Sequence, residues 1–147
     1  MASEVRNRQP LWNQGLSDLA DQCTDAKACD APELAVRLFE LISASPAMLR
    51  DHLGTATDRR AFLAHVGNGA TECALLDLCG DKTSFVLSKS AAGSSLATIH
   101  MDGSGDEVTF FANSIALAMI GALAAALSQT KLVPKRPSRS VGRRFLH

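Results

Sequence analysis

The chain has 147 residues, of which 46% are hydrophobic and 20% charged. This is the size and composition of one globular domain with a single buried core, not of a disordered chain, a collagen-like fibre or a disulfide-held miniprotein. A formal net charge of zero argues against a uniformly basic nucleic-acid binder and a uniformly acidic solvating chain.

Residues 1–15 are largely polar, with Leu11 and Trp12 as the only expected anchors, and a flexible start is expected. Leu16, Leu19 and Cys23 fall on one helical face and predict a short helix from Leu16 or Ser17 to about Thr24. Asp30-Ala31-Pro32-Glu33 is a helix start, with an N-cap acid, a first-turn proline and a further acid. The helix it opens should run to about Ser43 and bury Leu34, Leu38, Leu41 and Ile42, with Phe39 beside them. Ser45-Pro46 predicts a restart as a short helix ending at Gly54. Asp58 is placed to cap a further helix carrying Phe62, Leu63 and Val66, stopped by Gly67-Asn68-Gly69. Thr71 can open a last short helix to Cys79, ended by Gly80.

After Gly80 the apolar period changes from 3.6 to 2. Thr83–Ser88, Leu96–Met101 and Val108–Phe111 read as three strands, joined by Ser90–Ser94 and Asp102–Asp106, which carry turn chemistry. Short connections imply an antiparallel meander. Phe85, Leu87, Ile99, Met101, Val108 and Phe110 can share one face, and the helix Ser114–Gln129 is expected to cover it with Ile120, Leu123 and Leu127. Ser114, Ala118, Ala122 and Ala125 form a second stripe of small residues that lets another backbone approach. Packing on the N-terminal helices is the first reading of that stripe, and a homodimer seam over 114–125 is the second. The expected fold is α+β: a helical N-terminal half, then a three-stranded antiparallel β-meander covered by a long apolar C-terminal helix, in one domain over 1–130.

Val108–Thr130 is a run of 23 uncharged residues, long enough to span a membrane. Asn113-Ser114 interrupts it where a helix cap would sit, and its first residues alternate like a strand. The Ala-rich remainder suits a buried helix, so no membrane span is expected. The N-terminus carries no apolar run of the secretory kind. A cytoplasmic location is therefore expected, with Cys23, Cys29, Cys73 and Cys79 as free thiols serving mostly as small core hydrophobes.

Charge is segregated. Residues 131–147 hold Lys131, Lys135, Arg136, Arg139, Arg143 and Arg144 and no acid, leaving nine basic and fifteen acidic residues in 1–130, a net of −6. The Pro- and Gly-containing tail is a poor helix or strand. It reads as a solubilising end, as a binder of nucleic acid or another polyanion, or as a segment that docks on protein through those cations and Phe145-Leu146. Its single aromatic residue offers no stacking platform for single strands.

No motif carries chemistry. Two Cys-x5-Cys pairs are too widely spaced for a zinc knuckle, and His52, His65, His100 and His147 form no metal spacing. Gly67–Thr71 lacks the preceding strand and the Gly-Lys-Ser/Thr of a phosphate loop. Asp102–Asp106 lacks the Gly and Glu that complete a calcium loop. No catalytic residue, metal or cofactor is expected. The expected function is a non-enzymatic cytoplasmic protein-interaction module, regulatory or adaptor in kind, with the six tail cations as candidate contacts. The alternative is a helix-turn-helix-like nucleic-acid-binding regulator over residues 47–66, with Arg59 and Arg60 facing the groove and the basic tail assisting. Asp51, Asp58 and the acidic body oppose it.

Overall fold

The computed structural model describes residues 2–45, 58–80, 83–101 and 107–129, with side chains from residue 13 onward. The described residues form an α+β domain of five α-helices and a three-stranded sheet in the order β1-β2-β3. The helices come first, the strands follow, and one more helix ends the described chain.

Helix α1 spans Ala2–Asp25, so helix begins far upstream of the expected start near Leu16. Leu16, Leu19, Ala20 and Cys23, spaced i, i+3, i+4 and i+7, bury its inner stripe. A single 3-10 turn, Ala28–Asp30, leads into α2, Ala31–Ser43. Asp30 does not cap α2 with its side chain. Its Oδ2 instead accepts from the Lys27 backbone N–H at 3.0 Å, closing the preceding turn, while the proline in the first turn of α2 has no N–H to satisfy. Ala31, Leu34, Ala35, Leu38, Phe39 and Ile42 are buried, and Leu41 is half-buried beside them. The helix expected after Ser45-Pro46 lies outside the described residues.

Helix α3 spans Arg59–Gly67 and α4 spans Thr71–Cys79. Phe62 and Val66 anchor α3, and Ala74, Leu75, Leu78 and Cys79 anchor α4. Gly80 follows α4 at φ 63, a conformation that a side chain would strain. The strands are β1, Thr83–Lys89, β2, Ser95–Met101, and β3, Glu107–Ala112, all antiparallel to their neighbours. Gly93 at φ 97 and the Ser90 N–H to Ser94 carbonyl bond of 2.9 Å close the first hairpin.

Register places Phe85, Ile99 and Val108 in one row, Leu87, Ala97 and Phe110 in the next, and Thr83 opposite Met101. These rows are the inner face, and they contain all six apolar residues expected to share it. Helix α5, Ile115–Gln129, lies beneath them. Ser114 caps it: its Oγ accepts from the Leu117 N–H at 3.2 Å, and its carbonyl from the Ala118 N–H at 2.9 Å. The Asn113 side chain donates to the Ala26 carbonyl at 2.8 Å, tying this corner to the end of α1.

Nearly every side chain of α5 is buried, because the helix has protein on two sides. The sheet lies on one, and α1, α2 and α4 pack elsewhere around it. This explains why its sequence is apolar all round rather than amphipathic. The face turned to the sheet differs from expectation. A Cβ at Gly121 would collide with the Phe110 ring, so Gly121 faces the sheet. Leu117, Ala118 and Ala125, at four before, three before and four after Gly121, share that side. Leu123 and Leu127 lie across the helix, since each residue advances the helix by about 100°. Ala118 and Ala122 have 0% exposure. Ala118 and Ala122 are therefore used in packing inside the chain, the first of the two readings of that stripe. Among the described residues no helix is long and apolar enough to cross a membrane.

Candidate functional site: the uncovered sheet

Among the described residues, helices cover one face of the sheet. On the other face, register aligns Ser84, His100 and Glu107, then Val86, Thr98 and Thr109, then Ser88, Leu96 and Phe111. The centre is polar and ordered, with the Thr98 and Thr109 hydroxyls 2.8 Å apart. Across it runs an apolar diagonal: Val86 on β1, Leu96 on β2 and Phe111 on β3. Val86 is 66% and Phe111 63% exposed, and Leu96 is half-buried. Isolated exposed apolar side chains are ordinary, but three cross-strand neighbours make a contiguous patch. The patch comes from strict alternation in β3, where Phe110 turns inward to Gly121 and Phe111 is sent outward.

Strand β1 is exposed on its outer face and, beyond the half-buried Thr83 and Phe85, on its inner face as well. It projects beyond the helix layer, since α5 lies mainly under β2 and β3. Leu87, an inner-face residue, is 38% exposed as a result. The opposite edge strand differs, because α1 also packs against β3.

A second surface feature is a groove of about 470 Å³ between the end of α1 and the start of α2, lined by Gln22, Asp25, Ala26, Asp30, Glu33, Leu34 and Arg37. Arg37 donates to Gln22 Oε1 across it at 3.4 Å. It is open and rimmed by carboxylates, with no nucleophile beside a base.

Arg59 and Arg60 stand at the start of α3. Arg59 lies 3.6 Å from Glu40 of α2, both side chains more than half exposed, a solvent-screened surface pair. The first helix and turn of the expected helix-turn-helix, residues 46–57, lie outside the described residues, as do Lys131, Lys135, Arg136, Arg139, Arg143, Arg144, His52 and His147. His65 Nε2 approaches Asp77 Oδ2 at 3.5 Å, bridging α3 and α4 at the surface. His100 sits on the outer sheet face, as its alternation with Ile99 and Met101 predicts. Among the described residues, no group of three or more His, Cys, Asp or Glu could hold a metal ion.

The cysteines divide evenly, against the expectation of mostly core thiols: Cys23 and Cys79 are buried, and Cys29 and Cys73 are exposed. The wide spacing alone did not show this, but helical phase does, because Cys23 follows Leu16 and Leu19 on the buried stripe of α1. Burial pushes the Cys23 and Cys79 thiols up from 9.0 to about 12. Native protein should therefore react with a thiol reagent quickly at Cys29 and Cys73, and at Cys23 and Cys79 only on unfolding; mass spectrometry of the labelled peptides checks this. Each buried thiol holds its proton more tightly folded than unfolded. Its contribution to stability is whole below pH 9 and is lost as pH rises towards 12.

Comparison with known protein families, with curated proteins and with solved structures finds no match.

Proposed function

We propose that the chain is a non-enzymatic, cytoplasmic protein-interaction module that works through the uncovered sheet. The observation that carries this reading is the apolar diagonal Val86–Leu96–Phe111, whose two ends, Val86 at 66% and Phe111 at 63%, are more exposed than the other exposed large apolar side chains among the described residues, Leu63, Leu76 and Leu87. An interface core is built from such aromatic and aliphatic anchors, ringed by polar groups. Here Ser84, Ser88, His100 and Glu107 lie around it, and Thr98 and Thr109 lie beside Val86 in the middle row. The −6 body and the cationic tail add long-range attraction for a partner of mixed charge. The net −6 of residues 1–130 weighs against the nucleic-acid reading, which would rest on the tail.

The test is affinity capture from source-cell lysate with nuclease, using full-length wild-type protein, a 1–130 truncation and Phe111→Asp. Phe111 is exposed, so the substitution leaves the core untouched. A protein partner that survives nuclease and falls at least about five-fold with Phe111→Asp is the expected result, at the scale of one interface anchor. Loss of the same partner from the 1–130 form would assign the tail as a docking element. Recovery of nucleic acid alone, or of partners indifferent to Phe111→Asp, would contradict the reading.

A further inference from the structure

We propose that β1 pairs antiparallel with β1 of a second copy of this chain, joining two three-stranded sheets into one six-stranded sheet. The proposal rests on the sheet being the contact surface and names one partner for its edge. An edge strand presents unpaired backbone N–H and C=O groups, and monomeric proteins usually blunt it with proline, a bulge, internal charge or a covering element. Strand β1 uses none of these among the described residues. Its sequence, Thr-Ser-Phe-Val-Leu-Ser-Lys, has no proline. Its register with β2 is unbroken from Thr83 to Lys89. Its only charge is at its last residue, and the helix layer reaches it only slightly, with Leu87, Ser88 and Lys89 exposed. The β3 edge, by contrast, is flanked by α1.

The strand is also complementary to itself. A two-fold axis through its midpoint, Val86, is the register that pairs all seven residues. Val86 then faces Val86 of the second copy on the outer face. Phe85 faces Leu87 on the inner face, Ser84 faces Ser88, and Thr83 faces Lys89. Every apolar residue meets an apolar one, and the half-exposed Phe85–Leu87 ledge of each copy closes over the other. The two Lys89 charges fall at opposite ends, about 20 Å apart, whereas parallel pairing would set them side by side. The paired strands exchange on the order of six to eight backbone hydrogen bonds.

Size sets the strength. The strand is about 23 Å long and the sheet about 10 Å thick. Its edge closes only a few hundred Å² per partner, below the roughly 800 Å² of a standard interface. The dimer is therefore weak and depends on concentration. In it, the outer faces of two copies become one continuous surface with two Phe111 anchors.

Sedimentation of full-length protein from about 5 to 500 µM tests this, a range that spans a weak interface. Wild type should pass from monomer to dimer. Val86→Lys, at an exposed position, should fold normally by circular dichroism. It should also dimerise at least about ten-fold more weakly, because the two lysines oppose each other on the axis. Mixing V86K with V86E should restore association as a heterodimer, which only a register centred on residue 86 predicts. In wild type, amide exchange of 83–89 should slow with concentration while that of 107–112 does not. This readout holds even if a variant misfolds. A wild type monomeric throughout the range, an undiminished V86K dimer or a mixture that fails to associate would each overturn the pairing. A monomeric wild type would leave capture through Phe111 intact, whereas capture indifferent to Phe111 would remove the interaction-module reading while leaving the dimer measurable.

Discussion

Replacing Phe62 with alanine should cost about 3–5 kcal/mol, the range for emptying a fully buried aromatic site. Phe62 has 0% exposure and stacks on Phe39 of α2 with ring centroids 4.7 Å apart at 29°. Helix α3 is nine residues long, and Phe62 and Val66 are its buried residues. A helix that short has little stability of its own, so its position depends on that ring. Against a total of about 5–15 kcal/mol for a domain, the loss is a large share. Urea unfolding of Phe62→Ala and Phe62→Leu checks it, with the leucine variant keeping most of the volume and losing less. Equal, small losses in both would mean that α3 is held by something other than this ring.

Gly121→Ala should be destabilising by about 1–3 kcal/mol, although the exchange in a helix interior normally stabilises by about 1 kcal/mol. The sign reverses because a Cβ at 121 would meet three atoms of the Phe110 ring closer than real Cβ atoms approach anything. That ring is half-buried and packs against the core. Shrinking it should relieve the clash, so Gly121→Ala combined with Phe110→Leu should be less damaging than the sum of the two single changes. A double-mutant cycle read by thermal or urea unfolding measures that coupling. Strict additivity would contradict the close packing of sheet on helix.

Much of the fold was readable from local chemistry. The period change after Gly80 located the sheet. Alternation in β1, β2 and β3 correctly assigned the inner-face residues, because a strand with one covered face must sort its side chains by two. The proline in the first turn of α2 and Gly80 marked element ends, since their backbone demands are local. The orientation of α5 was not readable. A helix buried all round has no polar side to show its phase, and the large residues were expected at the sheet where Gly121 in fact stands. The extent of α1 was missed because its first residues are polar and helix formation there leaves no apolar stripe in the sequence. The outer patch was latent in Phe110-Phe111: alternation sends one ring to each face. Which face stays uncovered depends on how many helices the chain sets on each side, and no local pattern encodes that.

The central claim is that the sheet, not the helical layer, is where this protein meets others. A photo-crosslinking side chain placed at Phe111, at Val86 or at Leu76 tests it in source cells. Leu76 is the control, an exposed apolar residue of α4 on the helical side, 47% exposed. The account predicts protein adducts from positions 111 and 86 and none above background from 76. Adducts from 76 with 111 and 86 silent would contradict it and move the interaction surface to the helices.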